Sequence, residues 1–275
     1  GNTNDAVETL SRARRLLPDE DPSASAESAL LCLEMGDYEG ATQHIDAASI
    51  RGEGAVVPYV RGNIAANQGH LKSALSHYNE AIEMEPTHVR ARLNRANIHM
   101  ASENAQAALD DANILLELAP KLGYAKLRRA EANMLLSNWE DALKDLETII
   151  EGAPHHHYAL TKLASCYISM GRPEKAEAPL NEALRLEPNH TDAWHHRGLL
   201  YLDWGREEEA INDFEAAIRC DGSHVDARLH IAAIHHEAKR FDEASTAWSG
   251  VLAINPDHTV ARIRRDECEI ALATI

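Results

Sequence analysis

One alanine recurs at an interval that leaves the chain few ways to fold. Ala74, Ala108, Ala142, Ala176, Ala210 and Ala244 stand 34 residues apart, and Ala41 joins them one residue out of step. Twelve residues before each lies a second small residue: Gly62, Ala96, Ala130, Ala164, Gly198 and Ala232. Four residues after each comes a column of mostly large apolar side chains: Tyr78, Ala112, Leu146, Leu180, Phe214 and Trp248. Pro86, Pro120, Pro154, Pro188 and Pro256 close five units, and Gly222 takes the remaining slot. Proline lacks an N–H and disfavours helix in the residue before it, so the period is punctuated at one fixed place. Self-similarity at a period of this length marks a repeat array.

Residues 191–224 carry Trp194, Gly198, Ala210 and Phe214 at the spacing of the tetratricopeptide (TPR) pattern. The chain resembles that family over essentially its whole length. The resemblance implies that each unit is a helix–turn–helix hairpin. Small residues would let helices A and B cross closely while the larger column fills the space beside them. One hairpin cannot bury its own apolar stripe, so neighbours must stack. The expected fold class is all-α, a right-handed α-α superhelix of about sixteen antiparallel helices. Full repeats are read at 22–54, 55–88, 89–122, 123–156, 157–190, 191–224 and 225–258. Residues 1–21 form a partial repeat with only helix B, over 5–18, and 259–275 form a terminal helix A. The loop Arg51-Gly52-Glu53-Gly54 lacks the closing proline, so the first joint is expected to be the least regular. A chain that opens on helix B and ends on the apolar run IALATI is expected to be a segment of a longer protein.

Charge narrows the partners. Forty-four Asp and Glu against 27 Lys and Arg give a net charge of −17, which repels nucleic acid and anionic lipid at long range. No stretch approaches the roughly eighteen apolar residues of a spanning helix, so no membrane insertion is expected. No secretory h-region opens the chain, and nothing in it assigns a compartment. Cys32, Cys166, Cys220 and Cys268 are far apart with no CxxC pair, and read as ordinary buried thiols.

Two adjacent columns of helix A are rich in base. The first holds Arg61, Arg95, Arg129, Leu163, Arg197, Ile231 and Arg265. Sixteen residues on stand His77, Asp111, Asp145, Pro179, Asp213 and Ala247. Arginine meets aspartate three times, and Leu163 and Ile231, which lack the base, also lack the acid. Arg95–Asp111, Arg129–Asp145 and Arg197–Asp213 are therefore expected as structural ion pairs within hairpins, worth about 0–1 kcal/mol each if exposed. The second column reads Glu27, Val60, Asn94, Arg128, Lys162, His196, His230 and Arg264. In the family this position lines the concave face where ligands lie, so the resemblance implies a cationic strip for an acidic segment.

Asn63, Asn67, Asn94 and Asn97 extend that strip at one end. Amide and guanidinium groups hold an extended peptide by its backbone and its carboxylates. Some TPR cochaperones grip a terminal carboxylate with Lys-x-x-x-Asn, Asn and Lys-x-x-x-Arg on successive helices A. By spacing, that clamp falls on Tyr59, Asn63, Asn94, Tyr124 and Arg128, with tyrosine at both lysine positions. Two of the anchoring charges are thus missing, and an internal acidic or amide-rich peptide fits better. Tyr59, Tyr124 and Tyr158 would then be flat anchors beside Asn63, Asn94, Asn97, Arg128, Lys162, His196 and His230.

Sixteen histidines invite a metal, but His155-His156-His157 lies in a turn, and His236-Glu237 is followed by Arg240 where a zincin needs its second histidine. No glycine-rich phosphate loop and no G-x-S-x-G elbow occurs. No metal, cofactor or catalysis is expected. The reading is a protein–protein interaction scaffold that binds an extended or helical partner segment, acidic or amide-rich, in its concave groove. The alternatives are the substrate-selecting arm of a larger enzyme whose catalytic domain lies outside this chain, and a scaffold that self-associates through its terminal helices.

Overall fold

In the computed structural model, residues 22–50 and 54–274 are described; the helix expected over 5–18 and most of the 51–54 loop lie outside them. The described residues hold fifteen α-helices, one 3-10 turn and no strand. The chain divides into two compact units, residues 1–138 and 139–275. The first contains α1 (Pro22–Glu34), α2 (Tyr38–Ile50), α3 (Val56–Asn67), α4 (Leu71–Met84), α5 (Val89–Ala101), α6 (Ala105–Leu118) and α7 (Gly123–Leu135). The second contains α8 (Trp139–Gly152), α9 (His157–Ser169), a 3-10 turn (Pro173–Lys175), α10 (Glu177–Leu186), α11 (Thr191–Asp203), α12 (Glu207–Cys220), α13 (Val225–Glu237), α14 (Phe241–Ile254) and α15 (Thr259–Ala273).

The small-residue columns are where helices cross. A Cβ on Gly62 would lie 2.5 Å from the Tyr78 ring, and one on Gly198 would lie 2.7 Å from the Phe214 ring. Both rings are buried, so neither can step aside cheaply. Where the small residue is alanine, as at Ala96 and Ala164, the facing positions are the smaller Ala112 and Leu180, all fully buried. In the Ala232 repeat, by contrast, alanine shares its cluster with the larger Trp248. In the first unit Ile45, Val60, Tyr78 and Ala81 form the apolar centre; in the second, Leu180, Leu200, Phe214 and Val251 do.

Two kinds of turn alternate. Helix A ends on a residue with positive φ, namely Gly36, Gly69, Glu103, Ser137, Gly171, Gly205 or Lys239. At Gly69 the next N–H, His70, reaches back to the Ala65 carbonyl at 2.8 Å, which satisfies an orphan helix carbonyl. At the other turn, histidine caps the following helix. The Nδ1 atoms of His88, His156, His224 and His258 accept from the backbone N–H groups of Ala91, Ala159, Ala227 and Ala261 at 3.1–3.2 Å. The 34-step recurrence of these histidines is therefore a capping pattern.

A further tie locks that turn. Arg92 Nη2, Trp194 Nε1, Arg228 Nη2 and Arg262 Nη2 each donate to the carbonyl six residues earlier, at 2.6–3.1 Å. One column of helix A thus holds the turn preceding it in four of the repeats.

Candidate functional site

The residues with ligand-binding chemistry in the first unit come from α1, α3, α4 and α5. They line a cleft of about 730 Å³ that includes Tyr59, Asn63, Asn67, Tyr78, Asn94 and Asn97, with Glu34 and Arg90 beside them. Asn63 Oδ1 accepts from the Tyr78 hydroxyl at 2.9 Å and from Asn94 Nδ2 at 2.8 Å. Those bonds fix both amides. Asn63 must turn its Nδ2 donor outward, and Asn94 must turn out its Oδ1 acceptor. Neither outward atom has a hydrogen bond among the described residues. Asn97 Oδ1 is buried there without a partner. Burial pushes the Tyr78 phenol up to about 12, so it stays a proton donor at any physiological pH.

The expected tyrosine anchors differ from one another. Tyr59 is only 8% exposed; its ring packs against Tyr78 and lies 4.9 Å from the His88 ring. It lines the cleft as a largely buried wall residue. Tyr124 is exposed, but its hydroxyl accepts from Arg128, whose guanidinium also lies over the ring and pairs with Glu131. Burial works against the Arg128 charge, but Glu131 and Tyr124 together outweigh it, leaving the pKa raised. Arg128 is consequently neutralised within its own helix. A carboxylate clamp over Tyr59, Asn63, Asn94, Tyr124 and Arg128 is not assembled, because one end is core and the other is already paired.

In the second unit the strip carries two cations, Lys162 and Arg264, the latter paired with Glu267 at 2.9 Å. Lys162 lies over the Tyr158 ring at 4.9 Å, and Tyr158 stacks on His190. His196 donates from Nδ1 to the Asp192 carbonyl at 2.6 Å, and burial holds its pKa below the ordinary imidazole value. Burial lowers His230 likewise, and its ring stacks on Phe214 at 5.0 Å. His195 lies between Phe214, His224 and His230, and burial first, then the neighbouring imidazoles, push it down to about 4. The reading of His196 and His230 as cations is corrected: desolvation keeps them neutral at pH 7 and still disfavours the charge at pH 6.

The ion-pair column carries more than the sequence spacing suggests. Asp213 accepts from Arg197 Nε and Nη2 at 2.7 and 2.8 Å. Asp111 accepts from Arg95 at 2.8 and 2.5 Å and from Arg92 at 3.2 Å. Both carboxylates are 5% exposed or less, so the weight of a surface pair does not apply to them. Each arginine also reaches back sixteen residues to the preceding helix B, from Arg95 to Asn79 and from Arg197 to Asn181, both at 2.7 Å. Arg129 makes the same backward bond to Asn113 at 3.3 Å; its expected partner Asp145 stands in the other unit. Arg61, which has His77 in place of an acid sixteen residues on, pairs backward with Asp46 at 2.9 Å. The backward asparagines recur at the 34-residue interval and could have been found by asking which residue precedes each arginine by sixteen.

Among the described residues no group of three or more His, Cys, Asp or Glu could hold a metal ion, and no helix is long and apolar enough to cross a membrane. Tetratricopeptide repeat models match residues 59–122, 134–199 and 191–224, which together make up more than half of the chain. No curated sequence matches it. A tetratricopeptide repeat protein from Parabacteroides merdae ATCC 43184 is 19% identical, with a TM-score of 0.72 over 90% of this chain and 98% of that one. A chain of the APC/C hetero-tetramer Cut9–Hcn1 is 16% identical, with a TM-score of 0.75 over 97% of this chain and 52% of that one. A thermophilic TPR protein of Thermus thermophilus is 21% identical, with a TM-score of 0.56 over 66% of this chain and 99% of that one. At such identities the structural likenesses speak for fold. Repeat matches, an all-helical architecture and crossings built on small residues agree, and the chain belongs to the tetratricopeptide repeat family.

Proposed function

We propose that the chain is a protein–protein interaction scaffold whose first unit binds an extended partner segment by its main chain. Scaffolding without catalysis is typical of TPR arrays, and no residue here is given a catalytic role. The observation that carries the reading is the Asn63–Asn94 pair. Tyr78 and the mutual amide bond consume one face of each side chain. What is left is one donor and one acceptor side by side, the complement of a peptide's C=O and N–H. Asn97 Oδ1 adds a second acceptor, and the buried Tyr59 and Tyr78 rings give the amides a rigid wall.

An acidic preference has less support than backbone recognition. The cleft carries one guanidinium, Arg90, and one carboxylate, Glu34. Arg128 is held by Glu131, and His196 and His230 are neutral. Selecting a phage-displayed random peptide library on the intact chain, then titrating the selected peptides against Asn94→Ala, tests the proposal. Loss of one such bond is expected to weaken binding about fivefold to tenfold. Selected peptides that bind Asn94→Ala and wild type equally place the site elsewhere.

A further inference from the structure

The second unit contains a cleft of about 720 Å³ over α13, walled by α12 and α14, and the repeat explains why it is open. One hairpin earlier, the corresponding groove over α11 is filled by Arg197. Its guanidinium lies between the Trp194 and Tyr201 rings, at 4.8 and 5.6 Å, and is bonded to Asp213 and Asn181. Thirty-four residues on, Arg197 becomes Ile231, Asp213 becomes Ala247, Tyr201 becomes His235 and Asn181 becomes Glu215. The arginine and its counter-ion have been removed, both rings of its sandwich are replaced because Trp194 becomes Arg228, and all five replacements line or rim the cleft.

The acceptors have not disappeared; they have moved outward. Glu215, Asp242 and Glu243 stand around the His235 end. Neither the Asp242 nor the Glu243 carboxylate has a hydrogen-bond or ion-pair partner among the described residues. His235 Nδ1 is buried without a hydrogen-bond partner, and burial followed by Arg240 keeps that imidazole neutral, hence able to accept. The two guanidiniums of the cleft each have an acceptor within the chain. Arg219 lies 3.9 Å from Glu215, and Arg228 donates to the Gly222 carbonyl while reaching Gly250, about two turns along α14 from Asp242. Apolar Ile231 and Ala247 lie between the two ends, suited to the methylene stem of a long side chain.

We propose that this cleft receives an arginine side chain from a partner protein, its stem on Ile231 and Ala247 and its guanidinium among Glu215, Asp242, Glu243 and His235. Arg228 Nε, also buried without a partner, offers a donor to a main-chain carbonyl of the same segment.

The test titrates the full chain, by amide NMR shifts, with Ac-Ala-Ala-Arg-Ala-Ala-NH2 and with its citrulline counterpart, which has the same shape but no charge. The arginine peptide is expected to shift Ile231, Ala247 and Gly250 saturably, and citrulline to bind about tenfold more weakly. Ile231→Arg with Ala247→Asp rebuilds the Arg197–Asp213 pair and is expected to abolish binding. Asn94→Ala should leave it unchanged, which separates this site from the amide cleft. Equal binding of the two peptides, or undiminished binding to the rebuilt variant, overturns the proposal. Should circular dichroism show that variant unfolded, Glu215→Gln with Glu243→Gln replaces it; a several-fold loss is expected, and unchanged affinity refutes the site.

Discussion

Gly198 illustrates how one atom sets a helix crossing. Alanine is the better helix former by about 1 kcal/mol, so a helix judged alone would gain from Gly198→Ala. The added Cβ would meet the buried Phe214 ring at 2.7 Å, and overpacking of that kind costs about 1–3 kcal/mol. Chemical denaturation is expected to show net destabilisation, relieved when Phe214→Leu is made with it, as the Ala164–Leu180 pair does naturally. Asp213 is a second single-residue constraint. Asp213→Ala leaves the Arg197 guanidinium 16% exposed without its counter-ion, at a cost of about 3 kcal/mol. A fall in denaturation midpoint of that size is expected, whereas the ~0–1 kcal/mol of a surface pair would mean that Asp213 is solvated. Lys239 runs the other way: at φ 57 a non-glycine residue is strained, and Lys239→Gly is expected to stabilise by about 1 kcal/mol.

At the scale of helices and turns, much was legible because the repeat samples each position several times. The alanine column, the glycines opposite Tyr78 and Phe214, and the joint loss of base and acid at Leu163/Pro179 and Ile231/Ala247 all follow from columns. The backward bonds to Asn79 and Asn181 escaped notice because they join one hairpin to the one before it. The capping histidines repeat in the sequence, but their role as acceptors depends on the turn's dihedral angles. The ligand strip was misjudged for another reason. Residue type does not reveal whether Arg128 is already held by Glu131, or whether burial leaves His196 neutral.

Taken across the whole molecule, the buried imidazoles make stability depend on pH in a definite direction. His99, His190, His195, His196, His230 and His235 all have pKa values lowered, in each case chiefly by burial. The unfolded chain therefore takes up protons first as pH falls from the ordinary imidazole value near ~6.5. Stability is fully present above that value and declines towards the folded value, which is about 4 for His195. His195 alone contributes on the order of 2–3 kcal/mol to that decline. Thermal unfolding between pH 7 and 5 is expected to show a falling midpoint, with a shallower slope for His195→Leu, leucine being the residue at Leu93, Leu127 and Leu229 in the same column. A midpoint independent of pH over that range would mean that the imidazoles are solvated.

The claim that the first unit reads a peptide's main chain is tested most directly by N-methylating a selected peptide one residue at a time. One position is expected to lose about tenfold in affinity on wild type, while alanine there changes little and Asn94→Ala removes the sensitivity. Tolerance of N-methylation at every position, or a loss that persists in Asn94→Ala, would contradict main-chain recognition by the Asn63–Asn94 pair.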